Sequence, residues 1–474
     1  MNKLKNLGYK IESLLSSQYC QFILFLFIFV CWLPTFIAFF PGIFNYDGPS
    51  QIVSFFRNDV SSHHPIIHTL LLSFLYGIGS CLFKYPSQGA VVYTLFHLFQ
   101  MFTMALIFSY ATKFIYNSTK NIKLTIATLL FFSIFPTNVL LPLMTSKDVI
   151  FAGLVLLYIV NWFKIMENEA PSKKDYFYLI IINILMLLFR NNAIYSFIIS
   201  FPFWFILIKG KKKYKLTLLF SLCVILFYIC SNILMISTNA RKGSEKEKLS
   251  IITQAIGRIS KYESDSLTDY DIEKINFYFN SIEDLSNAYI PYLSDKTKDL
   301  LDCDKVSANK KDFYIFSFSL MKKYPSTSIK SFLLTCNGYW NIFDDTFCSI
   351  SNAEFPRAKG YFEITFYKIQ NDEYVIPNYL PAIKEFYISM FCENNYRFIP
   401  IINVLFQPAL YLYILLGYVI YMVYTKNVKN LLPVIFLLMY FISCLFGPCA
   451  IVRYIYAIIV CIPVLISRLI PSRY

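Results

Sequence analysis

Asp47 is the first residue along the chain whose surroundings suggest chemistry. It lies between Pro41-Gly42 and Gly48-Pro49, and turn-forming residues on both sides would hold its carboxylate in a defined place. A carboxylate fixed in this way could serve as a general base or as a metal ligand. An Asp that caps a helix beginning near Pro49 is an equally good interpretation of the same spacing.

The four histidines form the second group of candidates, because all of them lie between residues 63 and 97. His63 and His64 directly precede Pro65, and proline is favoured at the first position of a helix, where the preceding polar residue can cap. We therefore expect one of the two imidazoles to cap and the other to be available for a phosphate or a metal ion. A purely structural role is the simpler alternative for both.

Three basic residues, Lys147, Arg190 and Arg453, border long apolar runs at ends where basic residues are otherwise rare. Arginine donates paired hydrogen bonds to phosphate oxygens, and three converging cations would suit a phosphate-bearing lipid. Each residue taken alone could instead extend towards lipid headgroups. The set as a whole favours a shared anionic ligand, with Asp148 and Asn191 as neighbouring polar contacts.

Two local patterns predict helices that carry further polar candidates. Ser146 precedes Lys147-Asp148, and a Ser cap followed by an early acidic residue is a common helix beginning. Gln254 and Arg258 lie four residues apart, so that on a helix they would share one face. We include Lys147 and Asp148 from the first pattern, and Gln254 and Arg258 from the second, as candidate substrate contacts.

The composition indicates the class of protein that carries these residues. Of the 474 residues, 57% are hydrophobic and 15% are charged, whereas a soluble domain carries about 25% charged residues. Intrinsic disorder and coiled coil are excluded with the soluble class, because both need more charge. The net charge of +14 comes from Lys and Arg beside apolar runs, so it does not indicate nucleic-acid binding.

Runs of membrane-spanning length alternate with connections that are rich or poor in Lys. Ten spans are predicted, at about 21–40, 89–112, 124–141, 147–163, 176–193, 194–209, 216–236, 399–424, 431–447 and 453–467. Lys and Arg are concentrated at every second connection, and basic residues favour the cytoplasmic side. The predicted fold is therefore an all-α polytopic membrane protein with both termini in the cytoplasm.

This topology divides the chain into three parts. The predicted parts are a transmembrane core of spans 1–7 at 1–236 that includes a first outer loop at 41–88, an extracytoplasmic loop domain at 237–397, and spans 8–10 at 398–474. Within the first outer loop, the stretches 49–59 and 65–79 are too short to cross a bilayer and suit helices that lie at its interface. The large loop contains amphipathic segments at about 247–261, 311–323 and 378–393, which predict a mostly helical domain.

These motifs together resemble those of a known group of proteins. Tyr46-Asp47-Gly48-Pro49-Ser50-Gln51, His63-His64-Pro65, Lys147-Asp148, Arg190-Asn191-Asn192 and Arg453-Tyr454 resemble a family of uncharacterised bacterial polytopic membrane proteins. That family looks like glycosyltransferases of the GT-C fold, similar in plan to the oligosaccharyl, protein-mannosyl and aminoarabinose transferases. The resemblance covers the membrane core, and the large outer loop matches only loosely.

The resemblance implies a function and a role for each candidate residue. Such enzymes move a sugar from a polyprenyl-phosphate-linked donor to an envelope glycan or lipid acceptor at the extracytoplasmic face of the membrane. Asp47 would be the catalytic base of an inverting transfer, while Lys147, Arg190 and Arg453, with a histidine, would stabilise the leaving phosphate. Many members carry two acidic residues where this chain has one, so the cofactor remains open, with a divalent metal ion among the possibilities.

Two alternatives fit the same sequence features. A polymerase or ligase of lipid-linked glycans would also need many spans, one large outer loop and outer arginines. A transporter or lipid flippase would place polar residues near mid-membrane and would repeat its halves. The sequence has no visible repeat, and its polar candidates lie at span ends, which favours an enzyme.

Overall fold

The computed structural model describes residues 10–44, 47–82, 91–343, 378–392 and 395–470. These parts of the chain are helical, and their only strand-like pairings are isolated bridges. From Cys20 onward, the first ten α-helices are α1 (Cys20–Ala38), α2 (Asp47–Phe56), α3 (Ile66–Leu82), α4 (Thr94–Thr119), α5 (Ile122–Ile134), α6 (Pro136–Leu140), α7 (Lys147–Glu167), α8 (Lys173–Phe189), α9 (Ala193–Leu207) and α10 (Lys211–Ser237).

The remaining helices form the C-terminal part and the segment 237–397, which is predicted to be the large outer loop and is called the outer segment for that reason. They are α11 (Ser250–Tyr262), α12 (Asp269–Tyr278), α13 (Ile282–Ala288), α14 (Asp295–Asp299), α15 (Cys303–Ala308), α16 (Lys310–Lys323), α17 (Pro325–Thr335), α18 (Asn337–Trp340), α19 (Pro381–Tyr387), α20 (Pro400–Leu405), α21 (Pro408–Tyr424), α22 (Val428–Cys444), α23 (Tyr456–Ile459) and α24 (Ile462–Ser467). A short 3₁₀ helix, Val452–Ile455, precedes α23 and carries Arg453.

Helix α7 is the centre of the main hydrophobic core. The side chain of Ser146 accepts a hydrogen bond from the backbone N–H of Asp148, which confirms the predicted cap. The helix is apolar on all sides and packs against α4, α8 and α22, as expected for a helix buried on every face. Lys147, at its first position, is therefore held on a rigid element.

Several apolar helices indicate a membrane protein, but ten spans are not confirmed. Within the described residues, four helices are long and apolar enough to cross a bilayer: α1, Val91–Thr119, α7 and α10. A fifth span results if α5 and the segment Pro136–Leu143, which are bent by 54°, cross together. Shorter apolar helices account for much of the difference between ten predicted spans and the four or five helices of spanning length. For example, α9 has 15 residues and is about 22 Å long, which is less than the hydrocarbon thickness of a bilayer.

Proline explains one of the interrupted runs. The apolar run predicted as one span at 399–424 is divided into α20 and α21, because Pro408 begins a new helix.

The cation sites predicted from the sequence are nevertheless at helix ends, as expected. Lys147 begins α7, Arg190 follows α8, and Arg453 precedes α23.

The stretch predicted as the first outer loop, 41–88, contains the two predicted helices. Helices α2 and α3 pack against each other, and both leave apolar side chains exposed, among them Phe56 on α2 and Phe74 on α3. Exposed apolar side chains on short helices suit contact with a membrane surface. Their position at the interface remains a prediction.

The outer segment has a hydrophobic core of its own. Ile256 and Ile259 of α11, Tyr278 of α12 and Phe313 of α16 are fully buried in it. The amphipathic stretches predicted at 247–261 and 311–323 correspond to α11 and α16. The stretch predicted at 378–393 forms the shorter α19 and a following π turn, and its last residue lies outside the described residues.

Candidate functional site

Two loops bring the beginnings of α2 and α7 together. The backbone N–H of Ile43 donates to the carbonyl of Leu143 at 2.7 Å, and the N–H of Thr145 donates to the carbonyl of Ile43 at 3.1 Å. This short parallel pairing joins the segment before Asp47 to the segment before Lys147. Residues that are 100 positions apart in the sequence therefore share one site.

Five charged side chains form this site, which we call the ion cluster. The carboxylate Oδ2 of Asp47 lies 3.7 Å from Nζ of Lys147 and 3.6 Å from Nη1 of Arg453. The same Nη1 of Arg453 lies 3.6 Å from Oδ2 of Asp148, and Asp148 also forms an ion pair with Arg190. The sequence-predicted base and all three predicted cations thus lie in one connected group.

Arg190 is enclosed by three aromatic rings. A residue that binds a phosphate would not need this enclosure. Its guanidinium carbon lies 5.7, 5.5 and 5.2 Å from the ring centres of Phe151, Tyr440 and Tyr454. Aromatic faces attract a guanidinium, and the Asp148 carboxylate supplies the opposite charge. These contacts favour a role for Arg190 in holding Asp148 in place.

His64 extends the cluster on the side of Lys147. The ammonium Nζ of Lys147 donates to Nδ1 of His64 at 3.0 Å, so this imidazole is the neutral tautomer with its proton on Nε2. Burial and the charge of Lys147 lower the pKa of His64 to about 3. His63 is more exposed and lies 4.0 Å from Glu247 of the outer segment, so His64 is the histidine that contacts the cluster.

Asn191 holds the histidine segment without contacting the charged groups. Its side-chain amide donates to the carbonyls of Ser62 and His63 at 2.9 and 3.3 Å. On the other side, the N–H of Ser62 donates to the carbonyl of Arg241 at 2.8 Å. Asn191 is therefore a positioning residue in this structure, and a substrate contact by it stays a prediction.

Gln51 is an important residue that the sequence did not single out. This buried side chain accepts hydrogen bonds from Nδ1 of His68 and Oγ1 of Thr69, both at 2.9 Å, and donates to the backbone carbonyl of Asp47 at 3.1 Å. It joins α2 to α3 and fixes the backbone of the candidate base. The sequence places Gln51 at the end of the motif at 46–51 but assigns it no role.

Gln254 and Arg258 do share a face of α11, but their partners lie within the outer segment. Thr297 donates to the amide oxygen of Gln254 at 2.9 Å, and Arg258 donates to the hydroxyl of Tyr289 at 2.9 Å. Arg258 also lies over the rings of Tyr262 and Tyr289. The structure does not bring this pair to the ion cluster.

The electrostatics of the cluster suit an anionic ligand. Burial alone would raise the pKa of Asp47, but Lys147 and Arg453 outweigh it and hold that pKa well below its usual range. With His64 neutral, the described part of the cluster, three cations and two carboxylates, carries a formal charge of +1. Among the described residues, no group of three His, Cys, Asp or Glu side chains is arranged to hold a metal ion.

Comparison with known proteins places the chain in a family. The model of a family of unknown function, DUF6020, matches residues 58–472, which is most of the chain, so the protein belongs to this family. The match includes Lys147, Arg190 and Arg453, whereas Asp47 precedes it. No curated protein and no solved structure matches the chain. The likeness to GT-C glycosyltransferases therefore stays a prediction.

Proposed function

For this member of the DUF6020 family we propose a membrane glycosyltransferase that moves a sugar from a lipid-phosphate-linked donor to an envelope glycan or lipid acceptor. One observation carries the proposal: the partly exposed carboxylate of Asp47 lies within 3.7 Å of two cations. A base next to a phosphate-binding group is the arrangement that this transfer needs.

The proposed step is a displacement at the anomeric carbon. The acceptor hydroxyl attacks that carbon, the bond from it to the phosphate oxygen breaks, and the hydroxyl proton passes to Asp47. Lys147 and Arg453 stabilise the charge that develops on the leaving phosphate. Attack from the face opposite the phosphate inverts the configuration.

We place the proposed reaction at the extracytoplasmic face. The Lys-rich connections mark the opposite ends of the apolar runs, and basic residues favour the cytoplasmic side. Asp47 at the beginning of α2 and His64 before α3 connect these helices to the cluster, and the exposed apolar side chains of both helices suit contact with the lipid part of the donor. On this topology both termini are cytoplasmic.

The test compares envelope glycans by mass spectrometry in hosts that carry the wild type, a deletion, Asp47→Asn or Asp265→Asn. Asp265 is an exposed carboxylate of the outer segment, so its variant controls for the loss of one charge. We expect one sugar to be missing from a defined glycan in the deletion and in Asp47→Asn only. Loss of a ladder of repeats would indicate a polymerase, and unchanged glycans in both would reject the transferase.

A further inference from the structure

Asp47 forms two long ion pairs, and their length distinguishes them from the direct pair between Arg190 and Asp148. The distances of 3.7 Å to Lys147 and 3.6 Å to Arg453 exceed the 2.7–3.2 Å of a good N–H···O hydrogen bond. Arg190, in contrast, pairs directly with Asp148 and is surrounded by three rings. Lys147 and Arg453 are thus the two cations described beside Asp47, and an anion that binds them meets this carboxylate.

Exposure identifies the side from which an anion would arrive. The side chains of Asp47 and Lys147 are 25% and 18% exposed, whereas Asp148 is 2% exposed. An anion that enters the cluster therefore meets Asp47 and Lys147 first. Oδ2 of Asp47 lies within 3.7 Å of both Lys147 and Arg453, so any anion that binds both cations must approach this carboxylate.

We propose that a phosphate binds Lys147 and Arg453 in competition with the Asp47 carboxylate, so that each anion weakens the hold of the cations on the other. This inference rests on the proposed function, because the phosphate is taken to be that of the lipid-linked donor. Arg190 is then outside the phosphate site and acts as a positioning residue for Asp148.

The competition would link the base to the presence of the donor. While Lys147 and Arg453 neutralise Asp47, its pKa is far too low for an effective base. When a phosphate binds Lys147 and Arg453, the pKa of the Asp47 carboxyl rises towards its ordinary value. Asp47 would then accept a proton readily only when the phosphate, and with it the sugar, is bound.

Binding measurements test the competition without requiring turnover. The full-length protein is placed in phosphatidylcholine nanodiscs, which carry no net charge, and is titrated with a prenyl monophosphate and, separately, with inorganic phosphate. Asp47→Asn removes the competing charge, so we expect it to bind about fivefold or more tightly than the wild type. Lys147→Met should bind at least about fivefold more weakly, and Asp265→Asn should match the wild type.

The two probes identify the source of the phosphate. If Asp47→Asn binds both probes more tightly, the site binds phosphate itself. If it binds only the prenyl phosphate more tightly, the site binds a lipid headgroup. Either result supports the competition. Equal or weaker binding of both probes overturns it. Asp47→Ser must behave as Asp47→Asn does, and thermal unfolding of each variant shows that the protein is folded.

The outcome is distinguishable from a failure of the proposed function. If Asp47→Asn tightens phosphate binding but glycans are unchanged in the deletion, the competition holds and the glycosyl transfer is rejected. If transfer is lost in Asp47→Asn without tighter binding, the base assignment survives and the competition is rejected.

Discussion

Thr145 lies directly against Gly48, so that no side chain fits between the beginning of α2 and the loop before α7. A Cβ atom placed on Gly48 would be 2.5 Å from Oγ1 and 2.6 Å from Cβ of Thr145. Gly48 is next to Asp47, and Thr145 is two residues before Lys147. This contact therefore helps to set the separation of the two charged groups.

Gly48→Ala should separate Asp47 from Lys147 and lower transfer at least about tenfold, because small misplacements of catalytic groups are costly. The measurement is the rate of glycan modification per folded protein. Gly77→Ala is the control, since a Cβ there meets nothing within 4 Å. Removing the opposing side chain in Gly48→Ala/Thr145→Gly should restore part of the rate. Full activity in Gly48→Ala alone would show that the contact does not position the site.

Gln51 should contribute to stability through its buried hydrogen bonds. Gln51→Leu leaves the donors of His68 and Thr69 without this acceptor and the Asp47 carbonyl without this donor. Each unsatisfied buried group costs about 1–3 kcal/mol, so the thermal unfolding midpoint in detergent should fall clearly. Ser50→Ala removes an exposed hydrogen bond to the same carbonyl and should change the midpoint little. An equal effect of both variants would contradict this account.

Asp148→Asn should affect folding more than Lys147→Met does. Removing one partner of a buried ion pair costs about 3–5 kcal/mol, and Asp148 and Arg190 are 2% and 11% exposed. We expect a large loss of folded protein and a lower unfolding midpoint for Asp148→Asn. Asp59→Asn, which breaks the exposed pair with Arg241, serves as the control and should cost at most about 1 kcal/mol. A small loss in Asp148→Asn would indicate that the pair is not structural.

Features of the site that depend only on neighbouring residues could be predicted from the sequence. Ser146 caps α7 as predicted, because the cap depends only on neighbouring residues. Asp47, Lys147 and Arg453 come together as expected of charged groups at the ends of apolar runs on one side. Span number could not be predicted equally well, because hydropathy does not show where a run such as 399–424 breaks.

The individual partners of the charged groups could not be predicted, because they depend on packing between distant helices. Arg190 looks like Arg453 in the sequence, yet it pairs with Asp148 and is enclosed by aromatic rings. Arg258 also resembles a ligand-binding residue, but its partner is Tyr289 of the outer segment. Gln51 ends the motif at 46–51, but the motif assigns it no role, and only the packing of α2 on α3 reveals that role.

The buried neutral state of His64 predicts how stability depends on pH. Its pKa is about 3 in the folded protein, lowered mainly by burial, and about 6.5 in an unfolded chain. Above pH 6.5 the imidazole is neutral in both states. As the pH falls below 6.5, the unfolded chain binds a proton that the folded protein does not, and the free energy of unfolding decreases until the pH reaches about 3.

His64→Asn should therefore make stability less sensitive to pH between 7 and 5. One such histidine contributes up to about 1.4 kcal/mol per pH unit below 6.5, and His68, whose pKa is also about 3, keeps a similar contribution in the variant. Asp47 does not interfere, because a carboxylate with a lowered pKa loses its contribution only below about pH 4.

Unfolding midpoints at pH 7, 6 and 5 measure the slope. His63→Asn is the matched control and should reduce it less, since His63 is more exposed and Glu247 opposes the lowering of its pKa. A wild-type slope in His64→Asn would mean that His64 is not buried as a neutral imidazole beside Lys147.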